Sequence, residues 1–204
     1  DVEEPAATGS HFLDILEPTI GDLIRKEISG APVMQKASFV MDKENPPSTR
    51  EFLGLKRLVV GISGKPRNDV GSIEIDMAAV LFSARGKVLG AVNNGSGGLH
   101  GVEQLGGGVV AGQGPRAEEA ITLDSALLPP KVEQVFFVLT LGGGDSFRQF
   151  ESAYVHVSDQ SCRELARYEV SSAARESGLV IARLLRVGVG WELQALGLLL
   201  RVDS

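Results

Sequence analysis

One cysteine, three histidines and a single tryptophan stand in a chain of 204 residues, and these scarcities exclude several classes of chemistry. Cys162 alone builds neither an internal disulfide framework nor a cysteine-rich zinc site, a usage that fits a reducing compartment without requiring one. His11, His100 and His156 are too scattered to suggest a shared site. His156 alternates with Val155 and Val157, which turns it toward the polar face of a strand. Basic residues are outnumbered, 20 against 26 acidic, giving a net charge of −6 and a pI of about 5.2. A nucleic-acid surface or a polybasic membrane patch needs clustered lysine and arginine, so neither is expected. No apolar run approaches the roughly 20 residues that cross a bilayer as a helix. The longest, Met77–Phe82 and Leu196–Leu200, are strand-length.

Catalytic signatures are equally scarce. Gly112-Gln113-Gly114-Pro115-Arg116-Ala117 fits the dinucleotide pattern G-x-G-x-x-A in letters only. That pattern works by aiming backbone N–H groups at pyrophosphate from a strand–turn–helix. Here Pro115 removes a donor and the strand-like run Ala120–Leu123 follows. Gly61-Ile62-Ser63-Gly64-Lys65 lacks the spacing and the hydroxyl residue of a P-loop. No serine occupies a G-x-S-x-G elbow, and Cys162 has no candidate base beside it. The chain is therefore expected not to be an enzyme.

What the chain does contain is apolar material and turns: 43% hydrophobic residues and 25 glycines. The first ten residues are acidic and read as a tail. Phe12, Leu13, Ile15 and Leu16 follow, closed by Pro18. Ile20, Leu23, Ile24 and Ile28 then recur at helical spacing before Gly30, which predicts a short amphipathic helix over Thr19–Ser29. Its apolar stripe either packs on its own domain or grips a partner. From Lys36 the pattern becomes that of strands: Lys36–Asp42, Leu55–Ile62, Ile73–Phe82, Lys87–Val92, Ala120–Asp124, Val132–Leu141, Ala153–Ser158, Leu165–Val170, Leu179–Val187 and Trp191–Val202. Gly188–Gly190 reads as a hairpin turn and Ser171–Glu176 as one helical turn. Closely spaced strands without long helical periods predict a mainly β chain, a two-sheet antiparallel sandwich. The expected division is a tail and helix over 1–35 and the sandwich over 36–204. Asn93–Ala117, rich in glycine, reads as one long loop with a role of its own.

The order of motifs resembles one family. Gly54-Leu55-Lys56-Arg57-Leu58-Val59-Val60-Gly61, then Glu74-Ile75-Asp76-Met77-Ala78-Ala79-Val80-Leu81-Phe82 and Gly86-Lys87-Val88, resemble the opening of TerD proteins, the tellurite-resistance and stress family. Leu123-Asp124, Pro129, Val135–Thr140, Ser146-Phe147 and Ala153-Tyr154-Val155 follow in the same order. Glu164-Leu165-Ala166-Arg167-Tyr168-Glu169-Val170 resembles the family's Glu-Leu-Ala-Arg-Tyr-Asp-Leu, and Glu176, Leu184, Arg186, Trp191, Ala195 and Gly197 match its closing segment. The likeness runs over residues 36 to 201.

The resemblance implies a two-sheet sandwich with calcium held by acidic loops at one end. The family's loop reads Gly-Asp-Asn-x-Thr-Gly-x-Gly-x-Gly-Asp-Asp-Glu; here Gly107, Gly112, Gly114 and Glu119 hold, and Glu118 replaces an Asp. Gly108, Val109 and Ala117 stand where ligands are expected, and Arg116 adds an opposing charge. Calcium takes about six to eight oxygens and gains affinity from charged ligands. The remaining candidates are Glu74, Asp76, Glu118 and Glu119, with an amide oxygen from Asn93 or Asn94: one weak, vestigial Ca2+ site, and no other cofactor. The expected function is accordingly that of a structural or protein-interaction subunit in a larger assembly. Ile20, Leu23, Ile24 and Ile28 are its candidate partner-binding residues, and peripheral contact with a membrane complex is compatible with it. The alternative is a calcium-binding stress-response protein. The resemblance implies a cytoplasmic setting; the start at Asp1 is also compatible with an organelle after removal of a transit segment.

Overall fold

The computed structural model describes residues 50–52, 56–71, 73–93, 98–105, 109–110, 119–143, 145–160, 164–170 and 175–200. Among them lie twelve strands: β1 Arg50–Phe52, β2 Arg57–Pro66, β3 Ile73–Phe82, β4 Val88–Val92, β5 Val102–Leu105, β6 Val109–Val110, β7 Glu119–Asp124, β8 Gln134–Leu141, β9 Phe150–Asp159, β10 Glu164–Val170, β11 Gly178–Val187 and β12 Gly190–Leu200. One 3-10 turn, Phe147–Gln149, precedes β9. No described helix is long and apolar enough to cross a membrane.

The strands form two sheets, and every pairing is antiparallel. One sheet runs β1-β12-β11-β8-β3-β4, with β6 added beside β3; the other runs β10-β9-β2-β7-β5. In the larger sheet Met77 stands opposite Leu139 and Ala79 opposite Phe137. In the smaller, Val60 faces Ile121 on one side and Val157 on the other. Inward residues of both sheets make the main core, including Leu58, Val60 and Ile62 of β2, Ile75 and Met77 of β3, and Phe137 and Leu139 of β8. Each such side chain contributes about 1.5–3 kcal/mol by leaving water. The outward side of β3 and β8 is apolar as well, with Phe82 and Phe136 in edge-to-face contact at 5.5 Å between centroids. That double burial explains why both strands read as continuous apolar runs.

The two-sheet antiparallel architecture agrees with the expectation. β3 has the predicted bounds, and the other matched strands shift by a few residues at their ends. The hairpin at Gly188 is present: Val187 pairs with Gly190, and Gly188 has φ 57°. The tract expected as one loop, Asn93–Ala117, needs correction, because it carries β5 and β6. β1 was also not anticipated. The predicted strand Lys36–Asp42, the helix Thr19–Ser29 and most of the turn at Ser171–Glu176 lie outside the described residues.

The closing hairpin is tied to the loop before β8. Arg186 donates from its backbone N–H to the Glu133 carbonyl at 2.9 Å, and from Nε to the Val132 carbonyl at 3.0 Å. Its guanidinium lies 4.3 Å from the Trp191 ring centroid. Arg186 and Trp191 thus act as a structural clamp in the segment that carries the resemblance.

Candidate metal centre

β3 has β8 along one side, but its other side is shared by two short neighbours. β4 pairs with Ala79–Phe82 and β6 with Ile73 and Glu74, so on that side the stretch between them has no strand partner among the described residues. A side chain fills part of this gap. Glu119 opens β7 opposite Ile62, on the inward side of the strand together with Ile121 and Leu123. Its Oε1 accepts the backbone N–H of Met77 at 3.1 Å. Gln104 of β5, opposite Ile121, donates to the same oxygen through Nε2.

Glu119 is only 1% exposed. Its second oxygen, Oε2, is buried without a hydrogen-bond partner among the described residues, and so is Gln104 Oε1. Burial pushes the Glu119 carboxyl up to about 7; the Met77 N–H works against this, the negative charge of Asp76 adds to it, and Gln104 opposes it. An acid in this state calls for a proton or a cation. Orphaned carboxylate and amide oxygens beside Asp76 are the hard oxygen donors that suit calcium.

The expected acidic residues are distributed as follows. Asp76 precedes Met77, whose N–H Glu119 holds, and its negative charge acts on the Glu119 carboxyl. Glu74 does not join them visibly: it is exposed, its carbonyl accepts the Gly142 N–H at 3.0 Å, and its carboxylate lies over Gly142. Asn93 is half-buried at the end of β4. Glu118 and Asn94 lie outside the described residues, as do Ile20, Leu23, Ile24 and Ile28. Among the described residues no group of three or more His, Cys, Asp or Glu is arranged to hold a metal. The donor set therefore fits calcium in part. Sequence reasoning missed Gln104 and the Met77 N–H; the short run Val102-Glu103-Gln104-Leu105 between Gly101 and Gly106 was the available signal for the first.

His156 is half-buried on the outer side of the smaller sheet, as its alternation predicts, with its basicity lowered by desolvation against the raising effect of Glu164. Nearby, Arg167 donates to Glu164 at 3.0 and 2.7 Å and lies 4.3 Å from the Tyr154 ring centroid. This is a surface ion pair with an aromatic support, a modest contribution to the sheet.

Comparison with known proteins agrees with this architecture. The TerD domain model matches residues 42–201. The tellurium resistance protein TerZ of Serratia marcescens is 32% identical over 148 residues, covering 70% of this chain and 72% of that protein. The tellurium resistance protein TerD of Alcaligenes sp is 27% identical, covering 71% and 81%. General stress protein 16U of Bacillus subtilis is 24% identical, covering 73% and 83%. A crystal structure of a homologue of the telluride resistance protein from Streptomyces coelicolor shares the fold, with a TM-score of 0.64 at 21% identity over 74% of this chain and 93% of that one.

Proposed function

The chain belongs to the TerD domain family, and from that premise we propose that it is a non-catalytic stress-response module that binds one calcium ion weakly where its two sheets meet. The observation that carries this reading is the Glu119 carboxyl, buried with one oxygen unpartnered and held near neutrality beside Asp76. Glu119, Asp76 and the Gln104 amide oxygen would hold the ion, with Glu118 and Asn93 as further candidates. Calcium supplies there the positive charge that a proton otherwise supplies. The relatives' names, given for resistance to tellurium and for general stress, support the same class of response for this chain.

Calorimetric titration of the full chain with calcium at pH 8 tests it. A few charged ligands place the expected Kd at about 10⁻⁴–10⁻³ M. At ten times Kd the folded state gains about 1.4 kcal/mol, seen as a higher Tm. No heat and an unchanged Tm at millimolar calcium would end this reading.

A second reading, a structural or protein-interaction subunit of a larger assembly, is supported by the side of β5. That strand ends its sheet among the described residues, and Leu105 and Leu127 near its two ends are 46% and 62% exposed. Sedimentation of the native complex separates the two readings. An assembly of fixed mass that Leu105→Asp and Leu127→Asp dissolve supports the subunit role; a monomer in the native preparation rules it out.

A further inference from the structure

An antiparallel sheet in a sandwich commonly buries one face and wets the other. The seven-stranded sheet does not. On its outer side, turned away from the five-stranded sheet, Val80 and Phe82 of β3, Phe136 and Val138 of β8, Val180 of β11 and Leu196 of β12 form a second apolar cluster, none more than 8% exposed. Val88 and Ala91 of β4 widen it. Arg183, also buried, borders the cluster with its guanidinium 6.0 Å from the Phe136 ring centroid. None of the described elements covers this side: all twelve strands belong to the two sheets, and the 3-10 turn leads into β9 of the other sheet.

We propose that the cover is the amphipathic segment Thr19–Ser29 of the same chain, docked through Ile20, Leu23, Ile24 and Ile28 as a helical layer on this sheet. Three observations favour it over other occupants. First, the stripe and the cluster match in size. Eleven helical residues span about 16 Å, and the cluster crosses from β4 to β12, four strand spacings or about 19 Å. Asp22, Arg25 and Lys26 fall on the opposite side of the helix, where solvent would lie, while Glu27 falls within the stripe between Leu23 and Ile20.

Second, the chain enters the described fold at β1, the edge strand of this same sheet, paired to β12. The twenty residues 30–49 can reach about 66 Å when extended, far more than the sheet is wide. Third, apart from residues 1–18 and 30–49 on either side of the segment, the stretches outside the description are short, 53–55, 72, 94–97 and 144 among them. Residues 106–108 and 111–118 flank β6 and β7, 161–163 and 171–174 flank β10 of the other sheet, and 201–204 are four residues.

The test is thiol protection in the full chain. With Cys162→Ser removing the native thiol, Val138→Cys places a single reporter at the centre of the cluster. Native-state labelling by a maleimide is expected to be slow. It should accelerate at least about tenfold when Leu23→Asp and Ile24→Asp are added, because local opening then exposes the face. Arg25→Asp with Lys26→Asp should leave it slow. Fast labelling of the unsubstituted segment, or equal rates in all forms, overturns the proposal. A rate that rises on dilution assigns the cover to a second copy and overturns it too. Should the doubly substituted chain fail to fold, Ile24→Cys paired with Val138→Cys decides. An intramolecular disulfide supports the docking, and a disulfide-linked dimer or no bond refutes it.

Discussion

Glu119 sits at the first position of β7, where the alternation of an inward-facing strand forces its carboxylate into the core side of the sandwich. A charge there is opposed by desolvation, and among the described residues two donors, both on Oε1, offset it. The folded carboxyl titrates at about 7 against an ordinary 4.5. Between those values the folded chain holds a proton that the unfolded chain has lost, so this group's contribution favours folding fully below pH 4.5. It declines as pH rises to 7 and is flat above. The span is at most about 3 kcal/mol. Glu119→Gln keeps an oxygen for the Met77 N–H and cannot ionise. Urea denaturation is expected to show the variant about 1–3 kcal/mol more stable than the parent at pH 8 and nearly equal at pH 4. Parallel pH profiles for the two proteins would contradict the burial argument. The resemblance made Asp76 and Glu119 legible in the sequence. Gln104 was not, because four residues between glycines, with their two polar members adjacent, carry too little pattern, and its role arises only when β5 lies beside β7.

Elements were legible in proportion to how much of their burial is written in their own residues. β3 and β8 are apolar on both sides and so stand out. β5 and β6 are short strands that owe their form to β7 and β3, partners the local pattern does not contain. β9 begins at Phe150, earlier than its alternation suggests, because Phe150 packs beneath β2 at Gly64. A Cβ at Gly64 would stand 2.8 Å from the buried Phe150 ring, whereas one at Gly142 would stand 2.8 Å from the free carboxylate end of exposed Glu74. The ring has nowhere to go and the carboxylate does. Gly64→Ala is therefore expected to cost about 1–3 kcal/mol by overpacking, and Gly142→Ala less than about 1 kcal/mol. Equal losses in thermal denaturation would show that the strand junction is looser than its packing indicates.

At the scale of the whole molecule, the fold class followed from strand spacing, but the strand order did not, since it rests on pairings between distant parts of the chain. That order determines how the candidate site is built. Asp76 comes from the larger sheet and Glu119 and Gln104 from the smaller, so an ion between them would join the two sheets at one end. Binding should then stabilise the sandwich as a unit rather than a single loop. It must also compete with the proton on Glu119. With a folded titration at about 7, the carboxylate is about nine-tenths ionised at pH 8 and about one-tenth at pH 6. Calcium affinity is expected to fall about tenfold between them, and the rise in Tm at fixed calcium to shrink accordingly. Below neutrality, titrations in buffers of different ionisation enthalpy should report proton release approaching one per calcium bound. In Glu119→Gln the pH dependence should disappear along with most of the affinity. An affinity independent of pH in the parent chain would place calcium somewhere other than the junction of the sheets.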